Sequence, residues 1–572
     1  MRGPVLGLGG SNHDFSAVVV DDGAIRVAIE DERIQRIKQA RTDWHAHPAR
    51  DAADYCLAAA QIGLDDLAGI FCCDDLERPT EWLDWSRVTF VNHHKAHAAA
   101  SFFTAPHSQA TLLVVDGHGS PLRETESGYE VETISIGWAS DTKLTLDALG
   151  TGVQKKTSSS WRYVTQNSIG WFYEIVTMAL GFGDAGQGKT MGLAAYGTPR
   201  HLDTLREFVE PQSDGSFRFD PYGGISEWLT ETLASHGNAM QVRADIAYAA
   251  QEIFVDAIVA AAVEAHRQAP SPVLCFGGGC ALNTLANSRI LEVTPFEQIA
   301  VFPASGDNGL SVGAAFYGAH VLQGQPRAPE APDWRAKSVY TGRESTGEEI
   351  DAAVNEVPVA VACPSDPVQE TARALVDGET VAVCRGRSEI GPRALGNRSL
   401  LALPSPVRMR DHVNLNIKQR ESFRPLAPVV PLEHASTYFE GIDESPHMLL
   451  VATVRPEARA SLAAVTHIDG TARVQTVRAE DNSFLHALLE RVGEHTGVPI
   501  LLNTSLNLRG EPIVETPADA VELFMRCPID ALLLGDRLVR KHSPWAPPPF
   551  QPESAPPVPS LRASAGSAEP AI

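Results

Sequence analysis

Three short apolar runs in this chain each end abruptly in glycine or acid. Val5–Leu8 leads into Gly9-Gly10, Thr111–Val115 into Asp116-Gly117-His118-Gly119, and Pro272–Phe276 into Gly277-Gly278-Gly279. The third is followed by a helical pattern over Ala281–Ile290, and an amphipathic helix of about Asp245–His266 precedes it. Strands that stop in such turns and alternate with helices predict an α/β architecture with ligands gathered at the strand ends. At the N-terminus, Ser16–Val20 and Ile25–Ile29 flank Asp22-Gly23, the pattern of a β-hairpin.

A chain of 572 residues exceeds what one core can serve. A Pro- and Ala-containing stretch at 326–337 reads as a linker between a unit at 1–325 and a second α/β unit at 338–542. The second unit opens with helix Pro367–Asp377 feeding strand Thr380–Cys384. Residues 543–572 have the Pro, Ser and Ala content of a disordered tail. No internal sequence repeat is visible. Hydrophobic residues at 44% and charged residues at 21% describe an ordinary globular protein. With 47 basic against 71 acidic residues, a net charge of -24 argues against nucleic acid as a partner. The start MRGPVLGLGG lacks a signal-peptide core and no apolar run approaches 18 residues, so a cytoplasmic protein with no membrane partner is expected. Its eight cysteines form no CxxC pair, and most read as reduced core residues.

Local chemistry stands out against this background. His93 and His97 in NHHKAH are four apart at the opening of a predicted helix, so they share a face and can grip one ion. Asp116 and Asp307 each sit at a sharp turn after a strand. There they can complete a site suited to Fe(II), Mn(II) or Zn(II), or simply cap their turns. His13-Asp14 follows the first strand, where His13 can act as a base or lie on a surface loop. Gly183–Thr190 satisfies the spacing GxxxxGK[ST], with Lys189 as its lysine. It follows the helical pattern Tyr173–Leu180 rather than a strand, so a P-loop is not expected. Gly278 and Gly279 with Asn283 form a strand–turn–helix start at which backbone amides can meet phosphate.

The second unit carries a basic block. Arg385–Arg424 holds nine Lys or Arg against three Asp or Glu, interleaved with Gly, Pro, Ser and Asn. Guanidinium groups on shaped loops suit multiply charged oxyanions, and a solvated basic face is the alternative. Arg393, Arg398, Lys418 and Arg424 are the candidate anion ligands, joined by Arg473 and by Asn503-Thr504-Ser505 after strand Pro499–Leu502.

Taken in order, VNHHKAHAAASFF, LLVVDGHG, GQGKTMGLAAYG, FGGGCALN, PASGDNGLSVGAA, SEIGPRALGNRSLLALP, NIKQRESFRPLAP and LLNTSLNLRGEPIV resemble the natural-product O-carbamoyltransferases of the NodU/CmcH family, from about Leu6 to Leu538. The resemblance implies an N-terminal actin-like ATPase fold domain followed by a YrdC-like domain. It implies that ATP, with Mg²⁺, and carbamoyl phosphate give carbamoyl adenylate in the second domain. The carbamoyl group then passes to a hydroxyl of a small-molecule natural product in the first. On this likeness Arg393, Arg398, Lys418, Arg424, Arg473, Asn503, Thr504 and Ser505 hold carbamoyl phosphate and the ATP phosphates. His93, His97, Asp116 and Asp307 bind a divalent metal, iron as in relatives. His13 with Asp14 serves the acceptor hydroxyl, and Lys189, Gly278, Gly279 and Asn283 frame the adenylate. A tRNA threonylcarbamoyl transferase fused to its YrdC-type partner, or a metal-binding ATPase that transfers nothing, are the competing readings. Loops such as Leu122–Tyr163, with Trp161, Tyr163 and Trp171 as lining or core residues, would select the acceptor. A homodimer is one open assembly.

Overall fold

The computed structural model describes residues 3–40, 48–76, 82–126, 128–156, 163–183, 185–327, 338–355 and 357–542. The expected tail, most of the expected linker and Trp161 lie outside them. The chain starts with strands β1 (Val5–Gly9), β2 (Ser16–Asp21) and β3 (Ala24–Glu30), then helices α1 (Asp31–Gln35) and α2 (Arg50–Ala60). Asp22 and Gly23 both take positive φ (50° and 76°), as the expected hairpin turn demands. Strands β4 (Gly69–Cys73) and β5 (Val88–Val91) run parallel to β1, giving a sheet ordered β3-β2-β1-β4-β5.

The same order returns. After helix α3 (His93–Phe103) come β6 (Gln109–Val115), β7 (Pro121–Thr125), β8 (Gly128–Ser140), β9 (Lys143–Lys156) and β10 (Tyr163–Thr165). Helices α4 (Ile169–Ala179) and α5 (Gln187–Ala194), β11 (Val209–Pro211), β12 (Phe217–Phe219), β13 (Val273–Gly277) and β14 (Gln298–Val301) follow. The second sheet runs β10-β9-β8-β6-β13-β14. Here β8 is antiparallel to β6, β9 antiparallel to β8, and β13 and β14 parallel to β6. Stripped of β10 and of β7, which pairs with β8 beside this path, this is the topology of the first sheet. The unit is therefore a duplicated fold of the actin-like ATPase kind, although its two halves share no visible sequence repeat.

Apolar burial explains why such unlike sequences share a topology. Every residue of β1 is buried, as are all of β6 but its first and all of β13, as strands covered by helices on both faces must be. Helix Met240–Gln268 extends beyond both ends of its expected span. It is long and apolar enough to cross a membrane, yet 56% of its apolar window is buried inside the protein, where it packs on α4, α5 and β6.

Residues 338–542 build a separate sheet. Its strands are β15 (Val359–Ala362), β16 (Val381–Cys384), β17 (Arg398–Ala402), β18 (Ala427–Pro431), β22 (Gln475–Val477), β23 (Leu501–Ser505), β24 (Ala531–Leu534) and β25 (Arg537–Lys541), in the order β15-β25-β24-β16-β17-β23-β18-β22. A small sheet of β19 (Phe439–Glu440), β20 (Val451–Val454) and β21 (Thr471–Arg473) lies beside it. Among the described residues no strand pairing joins the two units in one sheet. They meet instead through side chains and loops. Ala28 N donates to Thr341 O (3.0 Å), Arg36 donates to Pro512 O and Ile513 O, and Tyr55 Oη donates to Glu515 Oε1 (3.0 Å).

Candidate active site and metal centre

The expected metal residues come from three places and meet at one. Asn92 caps α3 by accepting from Lys95 N, which sets His93 and His97 on the first turns of that helix. Asp116 follows β6, and Asp307 lies in the loop after β14. All four offer ligand atoms within 4.8 Å of one another. His93 Nε2 lies 3.1 Å from His97 Nε2, and His97 Nε2 lies 3.0 Å from Asp116 Oδ2. Asp307 Oδ1 is 3.6 Å from His93 and 3.8 Å from His97. Donors bound about 2.1 Å from one ion stand roughly 3.0–3.4 Å apart, so this set fits a divalent cation. Two imidazoles and two carboxylates also match the chemistry of such an ion.

Neighbouring groups tune the cluster. Asp75, just past β4, lies 3.5 Å from His93 Nδ1 and 3.0 Å from His118 Nε2. Burial disfavours a charge on His93, but Cys73, Asp75 and Asp307 hold its imidazole well above the usual histidine range. Burial likewise pushes the Asp116 carboxyl up, and His97 with His93 outweighs it, leaving the group below the usual carboxylate range. Asp307 is further fixed by Ser11, whose Oγ donates to its Oδ2 (2.5 Å). Ser11 belongs to the turn after β1, so the site straddles the ends of both sheets.

That turn also carries His13, with Nδ1 3.0 Å from Asp14 Oδ2. The contact orients the ring. Gly278 and Gly279 serve the metal cluster directly, because Gly279 N donates to Asp116 Oδ2 (2.8 Å). Gly278 has φ 91°, and a Cβ there would fall 2.2 Å from Val115 O, so only glycine lets this turn close on Asp116.

The second concentration of charge lies in the other unit. Arg393, Arg420, Arg424 and Arg473 are close enough to repel one another. Burial, then Arg424, pushes Arg393 down to about 10 and Arg420 to about 9. Burial followed by Arg393, Arg420 and Arg424 lowers Arg473 well below its ordinary value. The acid among them is Glu421, 4.0 Å from Arg424. Arg393 Nε and Arg473 Nε are buried without a hydrogen-bond partner. A buried cluster of like charges with unpaired donors is a site prepared for a polyanion. From the first unit, Lys189 faces this pocket. Its Nζ donates to Phe182 O (3.2 Å), and Glu421, Arg424 and Arg509 all act on its charge.

Several expected ligands are turned elsewhere. Arg398 is held mostly by the fold: its Nε donates to Glu515 O (2.9 Å) and its Nη1 to Arg385 O, Gly386 O and Asn397 O, while Nη2 is buried without a hydrogen-bond partner. Asn503 is buried, donating to Ala394 O and Gln475 Oε1 behind the GPRALG loop. Lys418 Nζ donates to Ser505 O, Asn507 O and Asn507 Oδ1, so it shapes the loop after β23; Ser505 Oγ belongs to the same network. Thr504 stays half-buried at the end of β23. Asn283 is committed within the fold. It caps helix Thr284–Val293, which therefore starts after the expected Ala281, and its amide pairs with Gln251. The Gly183–Thr190 loop follows helix α4, as expected of a segment that is not a P-loop.

Other residues were not legible as site residues. Arg420 sits in the same basic run, four before Arg424, but no spacing rule separates it from its neighbours. Asp75, after β4, and His118, after β6, meet each other and His93 only in the folded chain. The segment Leu122–Tyr163 forms the long β8–β9 hairpin among its described residues. Trp171 packs at the Asp116-Gly117 turn, its Nε1 3.7 Å from where a Cβ on Gly117 would stand.

Comparison with known proteins gives the family. The carbamoyltransferase N-terminus family matches residues 78–316, and the carbamoyltransferase C-terminus family matches residues 372–541. An uncharacterized protein of Synechocystis sp. is 31% identical over 94% of this chain and 96% of its own. The nodulation protein NolNO of Sinorhizobium fredii is 33% identical over 93% and 79%, respectively. The 3'-hydroxymethylcephem-O-carbamoyltransferase of Amycolatopsis lactamdurans is 34% identical over 61% and 64%. A reading as a nucleotide sensor that transfers nothing is set aside: the chain is an enzyme and belongs to the NodU/CmcH family of carbamoyltransferases.

Proposed function

We propose that this enzyme is an ATP-dependent O-carbamoyltransferase acting on a hydroxyl of a small-molecule natural product, in the cytoplasm and without nucleic acid. The observation that carries the reading is the arginine pocket, with four guanidinium groups and two unpartnered donors facing one nearby acid. Such a pocket suits carbamoyl phosphate and the triphosphate of ATP. Hydrolysis of carbamoyl phosphate releases phosphate and carbamate. A carbamate oxygen then attacks the α-phosphorus of Mg²⁺-bound ATP, and pyrophosphate leaves with carbamoyl adenylate formed. Arg393, Arg420, Arg424 and Arg473 stabilise charge on the transferring and leaving phosphates, with Lys189 reaching in from the first unit. Enclosure of the reaction keeps carbamate and its adenylate from water.

In the second step the acceptor oxygen attacks the carbonyl carbon, its proton passes to His13 Nε2, and AMP leaves. Asp14 holds the His13 ring in the needed orientation. His93, His97, Asp116 and Asp307 would hold a divalent ion, iron(II) by analogy with the family, which supplies Lewis-acid stabilisation of charge on oxygen. The relative named for a cephem hydroxymethyl group supports a small-molecule acceptor. The test is incubation with ATP, Mg²⁺ and carbamoyl phosphate, followed by mass spectrometry for carbamoyl adenylate and pyrophosphate. Both are expected, lost in Arg393→Met and retained in His13→Ala. Absence of both products from the wild-type reaction overturns the proposal.

A further inference from the structure

Between the metal cluster and the arginine pocket lies a buried acid–base pair that neither site uses. Glu30 ends β3 and Arg33 belongs to α1; both are almost fully buried, at 3% and 1% exposure. Their sequence, Glu30-Asp31-Glu32-Arg33, resembles an exposed helix start, so their burial needs a reason. Glu30 Oε1 accepts from Gly391 N (2.6 Å), and Arg33 Nη2 donates to Gly391 O (2.8 Å) and Glu389 O (3.2 Å). The first unit thus grips both polar groups of one peptide residue in the second. Two residues further on is Arg393 of the anion pocket. On the other side, Asn308 Nδ2 reaches Glu30 Oε1 (3.4 Å), and the residue before it is Asp307 of the metal cluster.

Backbone packing ties the same two loops. Gly391 has φ 98°, and a Cβ there would meet Pro303 O at 2.8 Å and Ala304 N at 3.0 Å. No side chain can stand between the loop bearing Arg393 and the loop bearing Asp307. Within the second unit, Glu389 Oε1 accepts from Leu395 N (2.7 Å), Asn397 N (2.7 Å) and Arg398 N (3.3 Å), so the 389–398 loop moves as one piece. Through these contacts a shift of Asp307 would reach Arg393 by way of Asn308, Glu30 and the Pro303–Gly391 contact.

We propose that Glu30 and Arg33 are positioning residues that bolt the 389–396 loop to the Asp307 loop, so that metal occupancy of the His/Asp cluster orders the loop carrying Arg393. This rests on the reading of His93, His97, Asp116 and Asp307 as metal ligands, and not on the nature of the acceptor. The device ensures that the anion pocket takes its working shape when the transfer site is loaded. It uses contiguous hydrogen bonds and packing rather than distance alone.

The test is hydrogen–deuterium exchange on the full chain with and without manganese(II) chloride as the only added ligand. In the wild-type protein, metal is expected to slow exchange of peptides covering 93–97 and, by about fivefold, of peptides covering 389–396. In Glu30→Ala the response at 389–396 is lost while that at 93–97 remains, and Glu30→Gln, whose amide oxygen can still accept from Gly391, restores most of it. Gly391→Ala, which forces the two loops apart from the other side, also abolishes the distant response; it serves if Glu30→Ala does not unfold cooperatively. A response at 389–396 that survives both variants overturns the proposal, as does wild-type slowing at 93–97 alone. No slowing at either place overturns the metal reading and the coupling with it, even if carbamoyl adenylate is formed.

Discussion

Replacing Arg398 with methionine is expected to destabilise the second unit rather than to weaken anion binding. The side chain is fully buried, and its guanidinium donates to four carbonyl oxygens at 2.9–3.2 Å. Three of these share Nη1, which has two hydrogens, so about three full bonds are lost. At about 1.5–3 kcal/mol for each charge-assisted bond, the gross loss is roughly 4.5–9 kcal/mol. Removing a buried charge and filling its place with an apolar chain returns about 1–4 kcal/mol. Taking the middle of both ranges, the net expectation is a loss of about 4 kcal/mol, or roughly 8–16 °C in Tm for a unit of this size. Differential scanning calorimetry with urea titration at constant m-value measures it. Arg393→Met is the control, since its Nε has no partner and Arg424 repels it. That variant should melt at or above the wild-type temperature and lose stabilisation by added phosphate. An Arg398→Met protein that melts within about 2 °C of wild type but no longer responds to phosphate would refute the inward-facing assignment.

Three further outcomes can be checked. Burial pushes the Asp31 carboxyl up to about 7, against the pull of the Ala52 and Ala49 amides. Its folded value is raised, so its contribution is fully present below the unfolded value near 4 and is lost as pH rises through about 7. Relative to wild type, Asp31→Asn should gain up to about 1.4 kcal/mol per pH unit between roughly pH 4 and 7 in urea titrations, and nothing above. Added divalent metal at about 100 times its Kd should stabilise the wild type by about 2.7 kcal/mol and Asp307→Asn by much less, as read by thermal unfolding with and without chelator. Asn283→Ala should cost about 1–2 kcal/mol through the lost helix cap. Its KM for ATP in a pyrophosphate-release assay should not change, because its side chain is committed to Gln251 and Ala286.

Sequence alone was enough for features whose chemistry is local. The Asp22-Gly23 hairpin, the helix that sets His93 and His97 on one face, and the strand-ending turns at Asp116 and Gly278 depend on residues a few positions apart. The motif order from NHHKAH to NTSLN was sufficient for the family, because loops that shape a site keep their backbone-forming residues together. Length and direction of side chains over long separations were decided only by tertiary structure. Arg393 and Arg398 are five residues apart and equally basic in sequence. One opens into a pocket with Arg420, Arg424 and Arg473, and the other is enclosed by carbonyls of three segments. Nothing in the sequence singles out Glu30 and Arg33, and they become a buried junction because two units fold against them. The twofold repetition of the first unit is likewise absent from the sequence. Strand order and direction are set by apolar burial between layers, which many unlike sequences satisfy, whereas a hydrogen-bond partner hundreds of residues away leaves no periodicity to read.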